Sequence, residues 1–421
     1  MNKIKKLLRT IGPGFITGAS DDDPSGIATY SQTGAQFGYT QAWTALFSFP
    51  FMTFVQEMCG RVGMVTGKGL TVLLRENYSK TVATVAVLLL VIANTINIGA
   101  DLGAMAASTK LFIDIPFAIL LLLFTTITLI LEVFVPYPTY AKFLKYLTFA
   151  LFAYIVTAFF VKQNWLDTLY FTFIPHITFS SAYIFNIVAI LGTTISPYLF
   201  FWQADEEIEE EIAHNKLRAM GKGIPKIYTK DIFEMRLDTT VGMFFSNVVM
   251  FFIIIATAGT LHTHGIYSIQ TADQAAEALR PLAGDFAALL FAVGVIGTGL
   301  LAVPILAGSA AYAVAELFKW KAGLGLQFKK AHGFYGVITI ATLVGLIVNF
   351  TSISPFQMLY YTAIINGIVA PPLLVLILLL ANNKKIMREH TNTRTSNIMI
   401  VTITAIMSVA GIAVIYSLFN Q

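Results

Sequence analysis

Charge is scarce in this chain: 12% of its 421 residues are Asp, Glu, Lys or Arg, against 56% hydrophobic residues. So thin a polar complement cannot cover a soluble core of this size. Cysteine is almost missing as well. Cys59 stands alone, which excludes an internal disulfide framework and carries no redox signal. The net charge of +4 reflects loop residues and calls for no nucleic-acid partner. Histidine numbers six, and His262 with His264 in one loop is too small a set to mark a metal centre.

What the chain has in abundance is long apolar runs, with a mean hydropathy of +0.73. They predict an all-α polytopic membrane protein with eleven spans, at 11–34, 41–64, 82–107, 115–135, 143–161, 183–203, 237–259, 286–311, 333–350, 356–381 and 397–419. Basic residues collect on the inner side of membrane proteins. If the start, with Lys3, Lys5, Lys6 and Arg9, is cytoplasmic, every Lys and Arg except Lys110, Lys162 and Arg280 falls inside. A missed or invented span would swap the loops beyond it and destroy that asymmetry. The expected placement is therefore the plasma membrane, N-terminus in the cytoplasm and C-terminus outside. The first apolar run leads into acids with no small-residue cleavage site, so it reads as a span and not as a signal peptide.

Asp21-Asp22-Asp23-Pro24-Ser25-Gly26 interrupts that first span. A carboxylate near the bilayer centre costs about 2.5–3.5 kcal/mol even on a lenient scale, so three in a row need water, a cation or both. The sixth span is interrupted in the same way by Gly192-Thr193-Thr194-Ile195-Ser196-Pro197-Tyr198. Proline removes a backbone donor and clashes with the turn before it, so each span is predicted to split into two half-helices with free carbonyls at the gap. Paired interruptions five spans apart point to a secondary transporter built from two inverted five-helix repeats, 11–161 and 183–381, followed by an additional helix, 397–419. Carbonyl ends carry partial negative charge and Asp23 a full one, so the gap favours a cation. The polar stretch 204–236 opens with Glu206, Glu207, Glu209, Glu210 and Glu211 and continues with lysines and Arg218. Acid before base fits a helix dipole, and a solvated cytoplasmic helix is expected there.

Gly12-Pro13-Gly14-Phe15, Asp23-Pro24-Ser25-Gly26 and Gly34-Ala35-Gln36-Phe37-Gly38-Tyr39 together resemble the first span of the natural resistance-associated macrophage protein (NRAMP) metal transporters. The likeness continues through Gln56 to Arg61, Val65-Thr66-Gly67-Lys68, Asp101-Leu102 and Asn247. It implies the LeuT-like fold and transport of a divalent metal ion as substrate, with the lipid bilayer as surroundings, no cofactor, no obligate protein partner and no enzymatic activity.

Departures from the family pattern carry the finer expectations. The family's first-span motif reads Asp-Pro-Gly-Asn and its sixth-span segment Ala-Thr-Val-Met-Pro-His. Here Gly26 stands where Asn would, Thr193 replaces Ala, Ser196 replaces Met and Tyr198 replaces His. A thioether selects softer ions, and exchanging it for a hydroxyl removes that filter. The expected metal site is Asp23, Gly26, Thr193 and Ser196, with Asp22, Thr194, Tyr198, Gln203 and Asp101 around it. Losing the Asn and Met side chains is expected to widen the cavity for Mg²⁺, which keeps several waters. Asp22 is expected to face solvent or the vestibule. A proton relay needs titratable groups in sequence. Gln203 stands at the family's second histidine, Gly103-Ala104 replace Ala-Glu, the ninth span holds no Arg, and only Asp101 survives. This pattern is similar to the NRAMP-related magnesium transporters and implies import of Mg²⁺, and also Mn²⁺, without proton coupling. The alternative is proton-coupled Mn²⁺ or Fe²⁺ uptake. An aspartyl protease using Asp23 and Asp101 lacks its Gly-X-Gly-Asp signature, and a cation channel would show flux that does not saturate.

Overall fold

The computed structural model describes residues 12–135 and 150–419. The basic start and residues 143–149 of the fifth expected span lie outside them. Among the described residues there is no strand, only an isolated bridge between Ala219 and Lys222.

The first expected span is two helices, α1 (Pro13–Asp21) and α2 (Pro24–Phe37). After them come α3 (Trp43–Thr66), the short α4 (Leu70–Asn77), α5 (Lys80–Thr109) and α6 (Phe117–Phe134). The described part of the fifth span is α7 (Phe152–Phe160), and α8 (Trp165–Phe173) lies in the connection behind it. The sixth span is again two helices, α9 (Ser181–Thr194) and α10 (Pro197–Ala213). The remaining long elements are α11 (Thr229–Thr260), α12 (Ala287–Phe318), α13 (His332–Val348), α14 (Pro355–Ala381) and α15 (Arg394–Phe419). Every expected span thus coincides with helix where it is described. Among the described residues, seven helical stretches are long and apolar enough to cross a membrane by length and composition.

Outward-facing side chains explain the solvent this bundle needs. Leu88, Ile92, Leu122, Ile340, Val409 and Ile412 are all more than half exposed, and so much outward apolar surface is stable against lipid but not against water. Inside, helices meet through small residues, as membrane helices do when no hydrophobic drive separates protein from lipid. A Cβ added to Gly18 would lie 2.3 Å from the carbonyl carbon of Gly242, and one on Gly242 would lie 2.4 Å from the carbonyl oxygen of Gly14. The backbones of α1 and α11 are therefore in direct contact.

The start of α1 is anchored by the same neighbour. Asp238 of α11 accepts the backbone N–H groups of Gly12 (3.0 Å), Gly14 (2.8 Å) and Phe15 (3.2 Å). An acid from another helix does the work of a cap, satisfying orphan donors and matching the positive end of the dipole. At the other end of the broken helix, Asn186 of α9 donates to Thr33 of α2 (2.9 Å) and accepts from Tyr360 of α14 (3.1 Å), which ties three helices together.

The stretch 204–236 departs from the expected separate solvated helix. Residues 204–213 simply continue α10, and Asp205, Glu207 and Glu211 are buried against the bundle. Lys216, Arg218, Lys222 and Lys226 follow in a loop that ends where α11 starts at Thr229, and Lys230 and Arg236 lie in its first turns. Alternation of charge sign suggested a free helix. What it marks is a half-helix with Asp205, Glu207 and Glu211 turned to its neighbours.

Candidate functional site

Both interruptions are made by the same local rule. The residue before a proline is pushed out of the helical region, and Asp23 (φ −65°, ψ 172°) and Ser196 (φ −80°, ψ 136°) are both extended, each followed by proline at the first position of the next helix. The two side chains then satisfy opposite ends of their gaps. Asp23 turns forward as the N-cap of α2, accepting the Gly26 N–H at 2.7 Å. Ser196 turns backward and donates to the carbonyls of Gly192 (2.7 Å) and Thr193 (2.8 Å) at the end of α9. Thr194 likewise donates to the carbonyl of Ile190 at 2.8 Å.

The two gaps are joined directly. Ser25 donates to Asp23 Oδ1 at 2.6 Å, and its oxygen lies 3.2 Å from Thr193 Oγ1. With its one proton committed to the carboxylate, Ser25 accepts from Thr193. Tyr198 Oη donates to the carbonyl of Ser20 at 3.1 Å, crossing from the second break to the last turn of α1. Asn97 of α5 completes the set by donating Nδ2 to Asp23 Oδ2 at 3.1 Å. Asp23, Thr193 and Ser196 are each 1% exposed, so the meeting point is closed to solvent.

The neighbouring acids do not all behave as expected. Asp22 faces neither solvent nor a vestibule: it is buried, and Ser246 of α11 lies 3.3 Å from its Oδ1 and donates to Asp21 Oδ2 at 2.6 Å. A single hydroxyl thus serves two carboxylates, because successive residues at the end of α1 splay around the backbone and Asp21 and Asp22 reach α11 while Asp23 starts α2. The space beside Gly26 is also not widened. A Cβ there would meet the Asp21 carbonyl oxygen at 3.1 Å and the Tyr30 ring at 3.3 Å, so the helix end and a buried tyrosine occupy the place of an asparagine side chain. Asp101 is fully buried with neither carboxylate oxygen hydrogen-bonded. Gln203 points away from the breaks and donates to Glu207 at 2.8 Å. His262 and His264 each spend a ring nitrogen on a backbone carbonyl, of Ala35 and of Thr260, and do not form a pair.

Two contributors escaped the sequence reading as site components, Ser246 and the anchor Asp238, and a further buried acid, Glu132 within α6, lies apart from the breaks with Thr342 of α13 at 3.5 Å. Glu132 had a visible signal, since an acid inside an apolar span is a functional candidate by default. Ser246 had none, because small hydroxyl residues are common in spans.

Four acids, Asp21, Asp22, Asp23 and Asp101, are thus buried within the bundle, and no ion pair among the described residues involves any of them. Buried carboxylates without a basic partner require a cation or protons from outside the chain. Asn97→Leu, which removes the amide orienting Asp23, is expected to weaken ion binding by about ten- to a hundredfold. Mn²⁺ binding titrations on the purified variant check this.

A helical bundle with two interrupted helices whose breaks meet around unpaired acids defines a membrane-embedded secondary transporter of the LeuT-like class. The fold is shared with a manganese transporter of Eremococcus coleocola, at a TM-score of 0.76 and 17% identity over 98% of this chain and 88% of that one. It is shared more distantly with the inward-facing form of Mhp1, at 0.56 and 14% over 97% and 91%. In sequence, residues 14–417 match the Natural resistance-associated macrophage protein-like (Nramp) family, to which the chain belongs. Among its relatives, the divalent metal cation transporter MntH of Caldanaerobacter subterraneus subsp. tengcongensis is 24% identical over 427 residues, covering 98% of this chain and 94% of the relative. That of Yersinia pestis is 26% identical over 304 residues, covering 71% and 70%.

Proposed function

We propose that the protein is a divalent metal cation transporter that imports Mg²⁺, and Mn²⁺ with it, across the plasma membrane by alternating access and without a coupled proton. The observation that carries this reading is the chemistry of the paired breaks. The polar groups gathered there are carboxylate, hydroxyl, amide and backbone carbonyl, with a serine at Ser196 where the family's soft-ion members place a thioether. Hard oxygen donors suit Mg²⁺ and Mn²⁺. Asp23 is the charged ligand in this reading, with the carbonyls at the ends of α1 and α9 and the hydroxyls of Thr193 and Ser196 beside it. Gly26 contributes by keeping side-chain bulk away, and Asp22, Thr194, Tyr198 and Asp101 shape the surroundings. Residues 11–161 and 183–381 form two repeats whose broken helices meet at this point, with 397–419 outside them. The N-terminus lies in the cytoplasm and the C-terminus outside.

Import of a doubly charged ion into a cell that is negative inside gains about 4.6 kcal/mol per 100 mV, so no second ion is needed as driving force. The test is uptake into proteoliposomes holding a Mg²⁺ indicator and a pH dye. Saturable Mg²⁺ entry without luminal acidification is expected, and metal-driven acidification would contradict uncoupled transport. The second reading, proton-coupled Mn²⁺ or Fe²⁺ uptake, draws on the buried, unpaired Asp101 and on Glu132. It predicts acidification in the same experiment.

Ser196→Met is expected to restore the preference for softer ions. In a competition assay, Cd²⁺ or Mn²⁺ uptake by the variant should resist Mg²⁺ about tenfold better than uptake by the wild type, a change of about 1.4 kcal/mol in relative affinity. Unaltered competition would remove Ser196 from the selectivity argument.

A further inference from the structure

Away from the helix breaks, α10 and α12 are joined a second time. Ser309 of α12 donates to the Tyr198 carbonyl at 2.9 Å, beside the second break. Seven positions further along both helices, Asp205 of α10 meets Glu316 of α12. A Cβ on Gly69, just before α4, would run into Glu316 Oε1 and lie 2.5 Å from Asp205 Oδ1. The two carboxyl groups thus crowd one point, and the glycine is what lets them meet. Asp205 is 0% exposed and Glu316 7%.

The surroundings treat the two acids differently. Glu316 Oε2 accepts the Val72 N–H at 3.4 Å from the first turn of α4, where the helix dipole favours a negative charge. Both Asp205 oxygens are buried and receive no N–H or hydroxyl proton. Glu206 and Glu209 of α10 add negative charge around Asp205, and Tyr312 of α12 donates to Glu209 at 3.0 Å. Nearby cations are occupied elsewhere: Arg75 of α4 donates to the carbonyls of Glu316 and Leu317, and Lys68 pairs with Glu76 at 2.6 Å. On α3, Glu57 and Arg61 bind each other, Arg236 and the loop at His390 and Asn392, while α14 carries no charged residue. Lys80 and His332, at the starts of α5 and α13, are exposed. Asp21 is bound to Ser246, and Glu132 lies beside Thr342. No ion pair among the described residues includes Asp205 or Glu316.

Two carboxylates in contact with water excluded cannot both ionise, and among the described residues no three His, Cys, Asp or Glu side chains converge to hold a metal. One proton resolves the contact. We propose that Asp205 and Glu316 form a proton-binding site that locks α10 to α12. Asp205 keeps the proton and donates it to the Glu316 carboxylate, a charge-assisted hydrogen bond between two oxygens. When the proton leaves to water, two like charges face each other and the joint loosens beyond the Ser309 contact. The lock is therefore closed at acidic pH and is lost as rising pH takes the last proton from the pair, which titrates as a unit. In the orientation proposed above the pair faces the cytoplasm, so its proton comes from and returns to one side and none crosses the membrane. Only that sidedness rests on the transport reading.

Infrared spectroscopy of the full chain in detergent reads the proton directly. The wild type is expected to show a protonated-carboxyl C=O stretch that fades as pH is raised, and Asp205→Asn to lack that component. Spin labels on Ala213→Cys and Lys319→Cys, at the exposed ends of α10 and α12, report the separation of the helices, and Cys59 is buried away from the label. The distance should lengthen from acidic to alkaline pH with Asp205 present. In Asp205→Asn it should stay short throughout, because the amide donates to Glu316 without needing a proton. A separation independent of pH with Asp205 present would overturn the proposal, as would a pH response that Asp205→Asn retains or a carboxyl signal that it leaves unchanged. Mn²⁺ bound by the wild type and lost in Asp205→Asn would put a metal in place of the proton and overturn it too. If the labelled chain does not fold, the infrared comparison decides alone. Neither readout uses flux, so failure here is distinct from failure of the transport reading.

Discussion

Asp23→Ala is expected to lower Mg²⁺ uptake at least about a hundredfold, equivalent to about 2.8 kcal/mol or more. Asp23 is the N-cap of α2, takes hydrogen bonds from Ser25, Gly26 and Asn97, and through Ser25 connects to Thr193 of the other break. Removing the carboxylate deletes the only full charge on that connection and leaves the amide of Asn97 and the N–H of Gly26 without their acceptor. Loss of a cap alone costs about 1 kcal/mol, too little to unfold a bundle of this size. Folded protein with failed transport is therefore the expected pair of results, read by size-exclusion chromatography beside flux. Asp23→Asn separates charge from hydrogen bonding: it can keep the Gly26 contact but should lose transport nearly as completely. Full flux in the asparagine variant would show that the charge is not what holds the ion.

The second large effect is expected far from any ligand. Gly18→Val places a Cβ 2.3 Å from the carbonyl carbon of Gly242 and 2.4 Å from its oxygen. Those atoms are backbone and cannot rotate away, so α1 must leave α11. Overpacking usually costs 1–3 kcal/mol, and separation here would also pull the start of α1 from Asp238 and Asp21 from Ser246. Loss of folded protein, or of all transport in what folds, is expected. The control is Gly336→Ala in α13, where an added Cβ meets nothing within 4 Å. It should be tolerated, with a stability gain of up to about 1 kcal/mol. Comparable thermal stability of the two variants would contradict direct backbone packing of α1 on α11.

The architecture was legible because its determinants are local. Apolar runs announced the spans, and the prolines at Pro24 and Pro197 announced both breaks, since each forces the residue before it out of the helix whatever surrounds it. Asp23, Thr193 and Tyr198 come together as the paired breaks imply, and Asn97 of α5 bonds Asp23 directly. The errors arose where packing between distant segments decides. The turn of Asp22 away from solvent to Ser246 depends on how α1 lies against α11, 224 positions away, which no local pattern carries. Gly26 suggested empty space, but Tyr30 and the end of α1 fill it. The acids of 204–213 suggested a surface helix because charge pattern reports polarity and not which neighbour receives it. Asp238, near the start of the span expected at 237–259, carries no sign of its role in the sequence. Only the three-dimensional contact shows it holding another helix by its N-terminus.

The most direct measurement is Mn²⁺ uptake into proteoliposomes at micromolar Mn²⁺, with Mg²⁺ raised to millimolar concentration outside. An oxygen-lined site around Asp23 that accepts a partly hydrated ion predicts that Mg²⁺ competes and itself enters. Mn²⁺ uptake untouched by millimolar Mg²⁺ would contradict the account.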